Sequence, residues 1–330
     1  MSTATIQTLL AKPQLDGASR STKVKHFLGD YGLIVVFGIV LVYLAFATDN
    51  FLTTTNLINV VRQSSIVGFL ALGMTFVMIT AGIDLSVGSI AGLSGIAAAL
   101  VAPSDGTAFL LPLALGIGVG LLVGLANSAL IVGGAILPFL ATLAMMTVAR
   151  SAALIITDGK PVTGLSDQFA WLGTGKVGWV PVPVILFVVA AIVTHVVLSR
   201  TRFGRHVYAV GSNEESARKV GISTRRVLLG VYLIAGGLAA LGGIILTARV
   251  NGADPLAGTG FELQAISAVV IGGTSLFGGV GSIKGTVLGV LLVGVVMNGL
   301  NLLNVSSYYQ QAAQGLILVL AVLLNRWKSD

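Results

Sequence analysis

Cysteine is absent from the 330 residues, which excludes disulfide frameworks, thiolate metal sites and a cysteine nucleophile together. Charge is scarce as well: Asp, Glu, Lys and Arg make up only 9% of the chain, and histidine occurs three times. No Gly-Lys pair is followed by Ser or Thr in a phosphate-loop pattern, so any ATP chemistry has to come from another polypeptide. What fills the chain is apolar: 55% hydrophobic residues, 43 glycines and a mean hydropathy of +0.97, more than a soluble domain of this size tolerates. The expectation is a bilayer protein. A net charge of +7 then reads as basic cytoplasmic loops rather than as a nucleic-acid surface.

A hydrocarbon core of about 30 Å takes around 20 apolar residues per helix, and runs of that order recur along the chain. Ten emerge: 31–47, 63–81, 86–103, 108–132, 137–157, 180–199, 227–247, 263–279, 285–304 and 308–325. The pattern predicts an all-α polytopic membrane protein with both termini cytoplasmic. Residues 1–30 form a short cytoplasmic tail, since no small-residue cleavage site marks a removable signal. With that orientation Lys12, Arg20, Lys23, Lys25, the basic residues between Arg200 and Arg226, Lys284, Arg326 and Lys328 all fall inside, most of the 19 Lys and Arg. The acids Asp49, Asp105, Asp158, Asp167, Asp254 and Glu262 fall outside, as the positive-inside rule allows. Glycines at 116, 120 and 124 leave room for close helix contacts. "VGSIAG" at 87–92 returns as "VGSIKG" at 280–285, a faint internal echo.

"GSNEESARKVG", Gly211 to Gly221, concentrates charge between oily neighbours. Ser212 followed three residues later by Glu215 reads as a capping box, with acids in the first turn, Arg218 and Lys219 in the last, and Gly221 as the C-cap. So short a polar helix is not stable by propensity, which leaves a solvated loop or a helix held by a partner.

"GMTFVMITAGIDLSVGS", "GRHVYAVGSNEESARKVGIS", "AISAVVIGGTSLFGGVGSIKGTVLG" and "NGLNLLNVSSYYQ" settle on a partner. Over about Tyr31 to Trp327 the chain resembles the ribose and arabinose branch of bacterial ABC sugar-import permeases, and "LNLLNVSSYYQ" is most similar to the ribose permeases. The resemblance implies an inner-membrane homodimer working with a separate ATPase, which uses the ATP, and with a periplasmic sugar-binding protein. It implies no cofactor on this chain and one permease domain over 31–327. Within that domain, loop 200–226 would seat a coupling helix in the ATPase. Glu214, Glu215, Arg218 and Lys219 would form its docking surface, and Gly211 and Gly221 its ends. The outside loop 158–179, with Asp158, Lys160, Asp167 and Lys176, is either the binding-protein footprint or simply solvated.

Several polar residues lie in or beside the spans. Asp84 in "AGIDLSVGS" either N-caps the third span, with Ser86 and Ser89 beside it, or forms a broken-helix gate on the sugar path with Gly82 and Gly88. Asn298, Asn301 and Asn304 share one helical face and suit either sugar hydroxyls or neighbouring helices, and Asn127 is a similar case. Arg150 is expected to be paired or to snorkel. Two rivals stand against the importer: an intramembrane serine protease built on Ser94 and His195, and an ion-coupled carrier built on Asp84 and Glu262.

Overall fold

A computed structural model describes residues 35–102 and 109–329, and the side chains through residue 323. The predicted tail with Lys12, Arg20, Lys23 and Lys25 lies outside the described residues, as do Asp105 and the side chains of Arg326 and Lys328.

Among the described residues every predicted apolar run coincides with a helix, but the lengths differ. In chain order these are α1 (Val35–Ala47), α2 (Thr54–Ile79), α3 (Val87–Ala99), α4 (Leu110–Ser128, prolonged by a π-helical turn Ala129–Gly133) and α5 (Pro138–Thr157). Next come α6 (Asp167–Thr174), α7 (Val182–Arg200), α8 (Arg202–Ser212), α9 (Glu214–Lys219), α10 (Thr224–Val250), α11 (Phe261–Ile271), α12 (Ile283–Leu302) and α13 (Ser307–Ser329). Six of them, α2, α4, α5, α7, α10 and α12, are long and apolar enough to cross a membrane, while α1, α3 and α11 are shorter. At 1.5 Å per residue, the 13 residues of α3 and the 11 of α11 reach only about 20 and 16 Å. The full-length spans expected at 86–103 and 263–279 are therefore corrected to half-length helices. The second is stopped by "GGTSLFGGVGS", where Gly273, Gly278 and Gly279 take left-handed backbone angles.

Other boundaries move for local reasons. α2 begins well before the apolar run at 63, because Thr53 caps it by accepting from Asn56 N and the buried Phe51 anchors the turn ahead of it. Loop 158–179, expected on the outside, is folded rather than open. It contains α6, capped by Ser166, a strand β1 (Val162–Thr163), and a hairpin of β2 (Lys176–Val177) with β3 (Val180–Pro181). β1 pairs antiparallel with β4 (Gly252–Ala253), which ties this loop to the chain after α10.

α10 is the axis of the molecule, with α4, α2 and α3 packed along it. The small-residue stripe on α4 does what its spacing suggests: a Cβ on Gly120 would overlap the Gly236 carbonyl, and one on Gly124 the Tyr232 carbonyl. α3 is buried almost all round, which explains why a helix with no polar face is stable. A smaller cluster of Leu44, Phe51, Val60 and Val295 holds α1 to α2 and α12.

The same contacts order the segments by depth. Gly82 lies against Tyr232, Gly243 against Ala91 and Thr247 against Gly95, so the break between α2 and α3 sits beside the lower part of α10 and α3 beside its upper part. Gly258 and Glu262 meet Gly88, in the first turn of α3. The irregular segment after α10 therefore turns back roughly 15 Å below the Val250 end before α11 begins. The segment re-enters the bundle from the Val250 end, and α11 carries the chain on towards the basic end, where Gly272 meets Gly285. Backbone of this kind is tolerated at membrane depth only when protein groups satisfy it.

Candidate functional site

Three groups of polar residues lie between the middle of the bundle and its basic end. The first holds the re-entrant segment. Arg150 projects from the middle of α5 and its Nη1 donates to the Pro255 carbonyl at 2.8 Å and the Ala257 carbonyl at 2.7 Å. Glu262 closes the N-terminus of α11 by accepting from Gly260 N at 3.1 Å, and Gln314 of α13 donates to the Gly260 carbonyl. Arg150 is thus paired, and its partners are carbonyls rather than an acid at bonding distance.

The second group sits in the break between α2 and α3. Asp84 is fully buried, and its Oδ1 accepts from Ser86 N at 2.9 Å and from Ser86 Oγ at 2.5 Å. The N-cap of α3 is Ser86, not Asp84, which corrects the capping role expected for the acid. Asn127 on α4 donates to Ser86 Oγ at 2.8 Å, and Ser89 Oγ donates to the Ser86 carbonyl. Three oxygens close to this break, Asp84 Oδ2, Asn127 Oδ1 and Tyr232 Oη, are buried without a hydrogen-bond partner. Tyr232 was not legible in the sequence as a polar-site residue, since a tyrosine in an apolar run reads as core. Ala81 beside it takes a left-handed angle, φ 60°, which a helix cannot contain.

The asparagine face is dispersed. Asn298 exchanges two side-chain hydrogen bonds with Asn56 of α2, at 2.8 and 3.1 Å, and Asn301 accepts from Gln310 of α13. Asn304 lies past the end of α12 at φ 55°, where Val305 N donates to the Leu300 carbonyl and Asn304 N to the Asn301 carbonyl, a Schellman end. The Asn298 and Asn301 side chains bond within the bundle, and Asn304, exposed past the helix end, does not share the face predicted for it. Ser94 Oγ has no hydrogen-bond partner, so no Ser94–His195 pair is assembled.

The third group is the charged loop. It contains two helices where the sequence suggested one: α8 buries Gly204, Val207, Val210 and Gly211 and exposes Arg202, Arg205 and His206. That pattern is an i, i+3, i+6, i+7 stripe, masked in the sequence by two glycines and the interleaved basic residues. α9 follows immediately. Its N-cap is Asn213, whose Oδ1 accepts from Ser216 N at 2.7 Å, while Ser212 is the last residue of α8. The capping box of Ser212 with Glu215 is therefore corrected. Gly211 also lies inside the last turn of α8 and does not mark an end of α9. Gly221 fills its expected place at φ 85°, with Ile222 N donating to the Ala217 carbonyl and Gly221 N to the Arg218 carbonyl. Glu214 pairs with Arg218 at 2.9 Å and Glu215 with Lys219 at 2.7 Å, each four residues apart. All four side chains are exposed, with only Ala217 buried below them. Beside α9 a hollow of about 490 Å³ is lined by Phe203, His206, Val220, Ile222 and Arg226 among others.

A match to known families covers residues 56–322, under the description "Branched-chain amino acid transport system / permease component". The chain is 44% identical to the "Ribose import permease protein RbsC" of Bacillus subtilis (strain 168) over 333 residues, covering 100% of both chains. It is 38% identical to the "D-allose transport system permease protein AlsC" of Escherichia coli (strain K12), covering 91% of this chain and 92% of that one. It is 37% identical to the "L-arabinose transport system permease protein AraH" of the same strain, covering 90% of each. No solved structure matches it.

Proposed function

The chain belongs to the branched-chain amino acid transport system / permease component family, and from that premise we propose that it is the transmembrane subunit of an ATP-driven monosaccharide importer, with ribose ahead of other pentoses and hexoses. As a permease component it is a multi-pass membrane transport subunit and not itself an enzyme. Its place is the bacterial inner membrane, as one half of a homodimer, with a separate ATPase on the side of α9 and a sugar-binding protein on the side of α6. Ribose is preferred because it is the sugar in the name of a relative that aligns over the full length of this chain.

The observation that carries the reading is α9: a six-residue helix, capped at both ends, internally ion-paired and exposed on nearly every side chain. An isolated helix of that length does not persist in water on propensity. Its stops and pairs keep it rigid for a groove supplied by another protein, and its exposed charges set the docking register. In this reading the break at Asp84 and the re-entrant segment around Pro255 line or gate the sugar path.

Co-purification with the ATPase encoded beside it tests the proposal. The wild-type chain is expected to retain the ATPase in detergent, and a Glu214→Ala, Glu215→Ala, Arg218→Ala variant of unchanged elution profile to lose it. If neither form retains it and labelled ribose uptake instead follows a proton or sodium gradient without any ATPase, the ion-coupled carrier takes its place.

A further inference from the structure

Two helix breaks and the end of α8 meet at one point near the basic end of the bundle. Gly279, in the break between α11 and α12, donates its N–H to the carbonyl of Ile79, the last residue of α2, at 2.9 Å. Gly211 of α8 is pressed against the same pair: a Cβ on it would overlap the Ile79 carbonyl oxygen and would lie 2.8 Å from Gly279 N. Gly278, at φ 86°, faces the Gly211 carbonyl on one side and Ala81, in the break between α2 and α3, on the other. One turn earlier on α8, Tyr208 Oη donates to the Gly281 carbonyl at 2.7 Å. Burial raises the Tyr208 pKa, so the phenol keeps its proton. Only two residues separate Gly211 from the first residue of α9.

We propose that Gly211 and Tyr208 are positioning residues that form a joint, through which movement of α9 reaches both helix breaks at once. The inference rests on α9 being the ATPase-docking helix. Backbone packed on backbone has no side chains to take up a displacement, so α8 cannot shift without moving Ile79 and Gly279 with it. The two breaks are also the places where φ and ψ can change without disrupting a helix, because Ala81, Gly278 and Gly279 already lie outside helical geometry. A push on α9 is thereby converted into a change at the ends of α2 and α12 rather than being absorbed by loop 200–226. The glycine at 211 is required by the approach distance, and the tyrosine fixes the rotation of α8 against the second break.

The test is reconstitution of the full transporter, permease with its ATPase and binding protein, reading radiolabelled D-ribose moved per ATP hydrolysed. Tyr208→Phe removes only the hydrogen bond to Gly281, and Gly211→Ala forces α8 away from Ile79. Both are expected to retain the ATPase on co-purification and to hydrolyse ATP, while ribose moved per ATP falls by at least about fivefold, the low end of coupling between sites. If Gly211→Ala fails to fold, Tyr208→Phe alone decides. A Tyr208→Phe transporter that moves wild-type ribose per ATP overturns the joint. Loss of ATPase capture in Tyr208→Phe does so too, since the residue would then serve docking. Should the α9 triple variant keep its ATPase, the docking reading fails by itself, whatever the joint variants do.

Discussion

At the scale of single residues, Arg150 shows how a charge becomes tolerable inside an apolar bundle. A guanidinium is costly at bilayer depth unless its donors are satisfied, and two backbone carbonyls of the re-entrant segment satisfy one nitrogen here. The benefit is mutual, because Pro255 and Ala257 lie where irregular backbone has no regular ladder to join. Arg150→Met should lower stability by about 2 kcal/mol, the range for hydrogen bonds to a charged group, measured as a drop in unfolding midpoint of the detergent-extracted protein. Arg150→Lys should restore part of this, since an ammonium reaches one carbonyl more readily than two. Equal midpoints for wild type and Arg150→Met would remove the anchoring role.

At the scale of elements, α9 is defined by its ends rather than by its interior. Asn213 opens it, and Gly221 closes it in a left-handed conformation that costs a residue with a Cβ about 1 kcal/mol or more. Gly221→Val should fray the last turn, expose Lys219 to rotation and weaken ATPase retention several-fold, while Gly221→Asn should keep most of it because asparagine enters this region more readily. Co-purification yields of the two variants check the order; retention that is the same for both would mean that the end of α9 is not part of the contact. The ends were legible to different degrees. Gly221 stands out because glycine takes the left-handed angle with the least strain, whereas Ser212 and Asn213 are both good caps and adjacent. The choice fell to Asn213 because α8 runs through Ser212, and α8 is held by its buried Val207 and Val210, by packing on α7, α10 and α2, and by the approach of Gly211 to Ile79 and Gly279.

At the scale of the whole molecule, the charge asymmetry predicts that α9 and loop 158–179 lie on opposite sides of the membrane. The cysteine-free chain makes this directly measurable. Lys160→Cys, exposed beyond α5, should react with an impermeant maleimide on intact cells, and Ser216→Cys, exposed on α9, only after the membrane is opened. The reverse pattern would invert the orientation and put the proposed ATPase contact on the wrong side.

Hydropathy by itself located the apolar helices among the described residues, and the glycines at 116, 120 and 124 by themselves announced the close approach of α4 to a neighbour, because both signals depend on local composition. The neighbour's identity, the half-length of α3 and α11, and the depth reached by Pro255 are not local. They depend on which segments stack beside α10, and the same apolar run serves equally for a full span or a half-span buried on all sides. The "VGSIAG" and "VGSIKG" echo makes the point: the first is helical from Val87, while in the second Ser282 is the N-cap. Like residues took unlike places because tertiary contacts, Gly88 against Gly258 and Glu262 in one case and Gly279 against Ile79 in the other, decided where each helix could start.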